Sequence, residues 1–171
     1  MHNKTSNLKT IALYTDGACS GNPGRGGWAA ILIYTTANGA IHTKELSGYM
    51  PSTTNNRMEM FSIIQGLGQL KESCNVLVHS DSAYVVNAFN NGWIDNWQRN
   101  NWKTSDKKEV KNMDLWKDLL SKLSMHEYTF VKVKGHADNE YNNRCDKLAV
   151  AACKSCSASN SIFATTKSNT V

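Results

Sequence analysis

Apolar positions recur along the chain with two different spacings, and the change between them divides it. Thr10 to Tyr14 (TIALY) reads as a short apolar strand ending at the turn-prone pair Asp16-Gly17, and a Gly/Pro-rich turn over Ser20 to Gly27 follows. Trp28 to Tyr34 is mostly apolar, Asn38-Gly39 is a strong turn signal and Ile41 to Met50 alternates loosely, which predicts two further strands joined by a hairpin. From Thr54 onward Met60, Ile63, Ile64, Leu67 and Leu70 fall at helical spacing behind the cap-prone Thr54, Asn55 and Asn56.

Strand and helix alternate after that. Asn75 to His79 (NVLVH) predicts a buried strand, Ser80 and Ser82 supply cap residues beside Asp81, and Ala83 to Phe89 reads as a helix. Trp93 to Lys111 is polar and weakly periodic, with tryptophans and lysines interleaved, and is read as a surface excursion. Leu115, Trp116, Leu119, Leu120 and Leu123 mark an amphipathic helix after Asn112, Tyr128 to Val133 alternates as the last strand, and a helix covers about Asn142 to Cys153. The expected fold is therefore α/β, a mixed five-stranded sheet with helices on both faces. Residues 1–8 are expected to be a flexible N-terminus, 9–154 one domain, and the Ser-, Thr- and Asn-rich 155–171 a disordered tail.

Composition narrows this little. At 171 residues and 40% hydrophobic content the chain can bury one core, and no stretch approaches the roughly 20 apolar residues of a membrane span. The start MHNKTSNLKT lacks the apolar segment of a secretory signal, so the protein is expected to stay in the cytoplasm, away from membranes; it is also expected to be a monomer. Lys and Arg outnumber acids 19 to 14, a net charge of +5 that permits a polyanionic partner without demanding one. Five scattered cysteines argue against a disulfide framework, and the CxxC of Cys153 and Cys156 lacks the second pair that a zinc site needs.

Four acids stand where chemistry could be held: Asp16 past a strand, Asp81 at the carboxyl end of another, Glu59 on a mainly apolar helix, and Asp146 on the final helix. Each has a plain alternative, as turn residue, helix cap, solvated helix residue, or partner of Arg144 or Lys147. In open α/β sheets, however, sites form beyond the carboxyl ends of strands, where Asp16 and Asp81 would meet if their strands are parallel neighbours. Convergent carboxylates repel unless cations compensate, and hard oxygen donors select Mg²⁺ or Mn²⁺.

The segments Tyr14–Gly24 (YTDGACSGNPG), Thr53–Glu59 (TTNNRME), Asp81–Val85 (DSAYV), Trp102–Lys108 (WKTSDKK), Gly135-His136-Ala137 and Asn142–Asp146 (NNRCD) together resemble bacterial type 1 ribonuclease H, in order, from about Lys9 to Cys153. The resemblance implies that Asp16, Glu59, Asp81 and Asp146 hold two Mg²⁺ ions, with Mn²⁺ able to substitute. It further implies that His136 assists proton transfer or product release, and that water attacks the RNA strand of an RNA/DNA hybrid to leave 5'-phosphate and 3'-hydroxyl ends. Two-metal chemistry needs no protein nucleophile, which agrees with this residue set. By the same resemblance Cys19 and Asn22 lie along the RNA strand, Thr54, Asn55, Asn56 and Trp93 face the DNA strand, and residues 93–111 form a basic protrusion whose Lys103, Lys107 and Lys108 meet phosphates. Asn55 and Asn56 also have a local reading as helix caps, and Trp97 and Trp102 as a hydrophobic satellite. Ala83, Arg25 and Asp138 depart from the family pattern; Ala83 removes one expected minor-groove hydrogen bond, and Asp138 stands in place of a common loop glycine.

Two rivals share parts of this pattern. A strand transferase of the same fold would need target-binding domains for which the chain has no room, and a catalytically silent hybrid-binding module would be expected to have lost an acid.

Overall fold

The computed structural model describes residues 8–134 and 139–156, and the backbone alone of 165–169. The first strand, β1 (Thr10–Gly21), runs well past the apolar TIALY core, through Asp16 and Gly17, and pairs antiparallel with β2 (Gly24–Thr35) from Ile11 to Gly21. The predicted turn at Asp16-Gly17 does not form, and the one at Ser20 to Gly27 shrinks to the link between Gly21 and Gly24, because β2 pairs with β1 without a break from Ile11 to Gly21.

β2 is central and buried on both faces from Gly26 to Ile33, which explains its continuous apolar run. It continues through the Asn38-Gly39 turn, where Gly39 has φ +84°, into β3 (Ile41–Thr53). Helix α1 (Asn55–Leu67) starts at Thr54, whose hydroxyl accepts from the Arg57 N–H, and buries Met60, Ile63, Ile64 and Leu67 against the sheet. Each such side chain contributes about 1.5–3 kcal/mol.

Strand β4 (Asn75–Ser80) then pairs parallel with β1, with Tyr14 opposite His79, so the parallel neighbours that the site argument required are present. After it come α2 (Ala83–Asn90), α3 (Trp93–Arg99), α4 (Met113–Leu123), β5 (Glu127–Lys132), parallel to β4, and α5 (Glu140–Ser155). The excursion expected at Trp93 to Lys111 is more ordered than its composition suggests. It holds α3 and a tight hairpin with Lys103 opposite Glu109, while Trp97 packs on the fully buried Trp116 of α4 at 5.4 Å between ring centroids.

The five expected strands take the order β5-β4-β1-β2-β3, and a sixth, β6 (Thr165–Asn169), lies antiparallel on β3. Over those five residues the tail thus differs from the expectation of disorder. Main-chain pairing to an open edge requires no apolar side chains, so the polar composition carried no signal. The larger core lies between the sheet and α1, α2 and α4, with Leu13, Met60, Ile63, Val76 and Trp116 fully buried, and a smaller one lies beneath α5 around Ile31, Cys145 and Ala149.

Candidate active site

The sheet brings β1 and the carboxyl end of β4 side by side, and α1 crosses close above them. Gly17 permits that approach: a Cβ there would lie 2.5 Å from the Glu59 N and 2.7 Å from the Met58 carbonyl carbon. Gly27 plays the matching part on the opposite face, where a Cβ would lie 2.1 Å from the Ala149 carbonyl oxygen of α5, the helix that carries Asp146. Asp16, Glu59 and Asp81 consequently each offer an oxygen within 4.8 Å of the others. Asp146 lines the same cleft, an open cavity of about 480 Å³, without being a member of that close triplet.

The plain alternatives for Asp16, Glu59 and Asp81, and the Arg144 partner for Asp146, do not match the observed contacts. Asp16 lies within a strand, its Oδ1 accepting from the Gly17 N–H at 2.8 Å, and Glu59 is 4% exposed rather than solvated. The cap of α2 is Ser82, whose hydroxyl accepts from the Val85 N–H, and not Asp81. Arg144 forks onto Glu45 with two contacts of 2.9 Å, away from Asp146.

Burial, then the charge of Asp81, pushes the Asp16 carboxyl up to about 7, and burial, then the charge of Asp16, raises Glu59 well above the usual carboxylate range. Glu59 Oε2 is buried without a hydrogen-bond partner. Among the described residues the cleft lining includes no Lys, Arg or His. An orphaned carboxylate oxygen in an all-oxygen, cation-free cluster of acids fits hard divalent ions, for which Asp16, Glu59 and Asp81 are the nearest donors and Asp146 a further one.

Asn142 was not singled out by its sequence context. It is 2% exposed, lines the cleft one helical turn before Asp146, and leaves its Oδ1 without a partner. Its position four residues before Asp146, on the same helix face, was the available signal.

Of the predicted hybrid contacts only Asn55 and Asn56 belong to the lining of the cleft. Asn55 and Asn56 are exposed and line it, and the Asn55 N–H donates to Asn22 Oδ1 at 3.2 Å, which ties the β1–β2 hairpin to the start of α1. Thr54 is the α1 cap, so of the three residues with a local reading as caps it alone takes that role. Cys19 Sγ is half-buried against the Thr53 carbonyl. Trp93 and Lys103 share a separate depression on the protrusion, with Lys107 and Lys108 exposed beside it. Ala83 is exposed at the rim of the cleft. His136 and Asp138 lie outside the described residues.

Comparison with known proteins gives a consistent match. The sequence profile of the RNase H family matches residues 8–154. The chain is 59% identical over 146 residues to the ribonuclease H of Chlorobium limicola, covering 85% of this chain and 97% of that one. It is 61% identical over 141 residues to that of Chlorobium luteolum, covering 82% and 93%. Among solved structures it is similar to LC9-RNase H1, a type 1 RNase H with the type 2 active-site motif, at a TM-score of 0.77 and 29% identity, over 86% of this chain and 73% of that one. It is also similar to LC11-RNase H1 in complex with an RNA/DNA hybrid, at 0.60 and 25%, over 87% and 99%.

Proposed function

The chain belongs to the ribonuclease H family of metal-dependent endoribonucleases, and from that premise we propose that it hydrolyses the RNA strand of RNA/DNA hybrids with two Mg²⁺ ions held by Asp16, Glu59, Asp81 and Asp146. The observation that carries this reading is the meeting of three carboxylates, from β1, α1 and the end of β4, within 4.8 Å of one another. When bound, the ions supply an activated water and charge stabilisation at the leaving oxygen, which gives 5'-phosphate and 3'-hydroxyl ends; Mn²⁺ can substitute.

The protein's own groups do the rest. Glu59, fixed by its burial on α1, presents an oxygen with no competing partner, so the site is preorganised rather than assembled on binding. Asn55, Asn56 and Trp93 face the DNA strand, with Thr54 near a phosphate. Cys19 and Asn22 follow the RNA strand, where ribose 2'-hydroxyls distinguish it. Lys103, Lys107 and Lys108 hold backbone phosphates on the exposed protrusion, and His136 moves a proton at the reacting phosphate or helps the product leave.

No helix of the described residues is long and apolar enough to cross a membrane, and we place the protein in the cytoplasm, acting as a monomer. The test is incubation with end-labelled hybrid, duplex DNA and duplex RNA, in Mg²⁺ or EDTA. Cutting of the RNA strand of the hybrid alone, abolished by EDTA, is expected. Strand joining would point to a transferase, and binding without cutting to a silent module.

A further inference from the structure

The protrusion leaves the body of the fold after α2 and rejoins it at Asn112, and that point of return is tied by polar contacts that the proposed chemistry does not use. Asn112 has φ +59° and ψ +30°, a left-handed conformation that Asn tolerates better than most residues. It caps α4, yet its side chain makes no capping hydrogen bond. Instead the amide faces two neighbours: Oδ1 accepts from Arg57 Nη1 at 3.4 Å, and Nδ2 donates to the Tyr84 hydroxyl at 3.3 Å. That hydroxyl also accepts from Trp116 Nε1 at 3.1 Å and donates to the Lys111 carbonyl at 3.3 Å, which fills its one donor and two acceptor positions. Arg57 forks in turn onto Asp114, at 3.0 and 2.7 Å.

The residues joined here come from significant places. Arg57 lies in the first turn of α1, two residues before Glu59, and Tyr84 lies in the first turn of α2, three after Asp81. Lys111 and Asn112 end the protrusion. The contacts therefore connect α1, which bears Glu59, and α2, which begins two residues after Asp81, to the segment that bears the lysines. The tryptophans beneath the protrusion attach it as well, but apolar packing is non-directional, whereas hydrogen bonds fix an angle.

We propose that Arg57, Tyr84 and Asn112 are positioning residues, a clasp that sets the basic protrusion at one angle to the carboxylate cleft so that the phosphate grip and the cutting site engage a single hybrid together. This rests on the assignment of the protrusion to hybrid binding. It predicts that loosening the clasp weakens the grip although no lysine is touched.

Asn112→Gly is the informative variant, because glycine accepts the left-handed backbone without strain and no cap is lost, while both amide contacts disappear. Tyr84→Phe keeps the ring against Trp116, 5.4 Å between centroids, and removes the hydroxyl. Affinity for an RNA/DNA hybrid is measured in EDTA across a salt series for wild type, each single variant and the double variant, with amide hydrogen exchange over residues 93–111. Each single variant should bind about 3- to 10-fold more weakly, on the order of one net hydrogen bond, with a flatter salt dependence and faster exchange in the protrusion. The double variant should be no weaker than the worse single, since either change opens the same clasp. Unchanged affinity and salt slope in both singles would overturn the proposal, as would losses that multiply. A wild type that cuts hybrid but binds it without salt dependence would remove the clasp and the lysine assignment together, leaving the cleavage reading intact.

Discussion

At Asp16 and Glu59, two burdens coincide: both carboxylates are buried, and each lies beside other negative charge. For Asp16 the folded state raises the carboxyl from an ordinary 3.8 to about 7, so folding favours the protonated form. This contribution to stability is fully present below about pH 4 and is lost as pH rises through about 7. Melting curves in EDTA from pH 4 to 8 should therefore show a decline that Mg²⁺ offsets and that Asp16→Asn flattens; a metal-free melting temperature rising over that range would contradict the burial argument. Asp16→Asn should also abolish hydrolysis in Mg²⁺ while hybrid binding persists, because one ligand charge is lost without a change of shape. His136→Ala should be milder, slowing turnover by roughly 10- to 10⁴-fold, the range of a proton-transfer group. Steady-state rates decide it, and a rate equal to wild type, or a loss as complete as in Asp16→Asn, would remove His136 from that role. The four acids could be picked out together rather than singly, by their places at strand ends and on helices and by the resemblance of the segments that hold them, since each alone also fits an ordinary local role. Asn142 offered only its place one helical turn before Asp146, since an Asn beside another Asn at the start of a helix also looks like capping, and burial is what reveals its orphaned oxygen.

Elements were predictable where apolar spacing was strong, as in α1, α4 and β4, and obscure where pairing rather than side chains sets the structure. β1 extends through Asp16-Gly17 because β2 pairs with it from Ile11 to Gly21, a long-range cause that a local turn signal cannot register. α3 escaped notice because seven residues with a single buried side chain, Ile94, leave almost no periodicity. The protrusion that α3 begins carries its own prediction. Replacing Lys103, Lys107 and Lys108 by Ala should raise KM strongly at moderate salt and flatten its salt dependence, because fewer counterions are released on binding. Cleavage rates at saturating hybrid should change little, since the carboxylates lie on other elements. The defect should be equal for hybrids of every sequence, as phosphate contacts carry no base information. Steady-state cleavage over a salt series measures this, and parallel slopes for triple variant and wild type would reduce the lysines to a solvated rim.

For the whole molecule, the strand order separates the tail from the chemistry. β6 lies beyond β3, while Asp16 and Asp81 belong to the β1–β4 region two strands further in. Cutting the chain after Ser157 should leave hydrolysis nearly unchanged but uncover the outer edge of β3, which favours self-association through exposed main-chain groups. Cleavage rate and light scattering, compared with the full chain, test the two halves of that statement, and a lost cleavage rate would show that the tail supports the site itself. The wide separation of the cleft's acids along the chain, from Asp16 on the first strand to Asp146 on the last helix, also bears on how the protein comes into being. A chain emerging from the ribosome presents Asp16, Glu59 and Asp81 long before α5 is free to close over β1 and β2. Until that helix docks, the cleft lacks the wall that Asn142, Asn143 and Asp146 provide, and the first three acids face solvent without it.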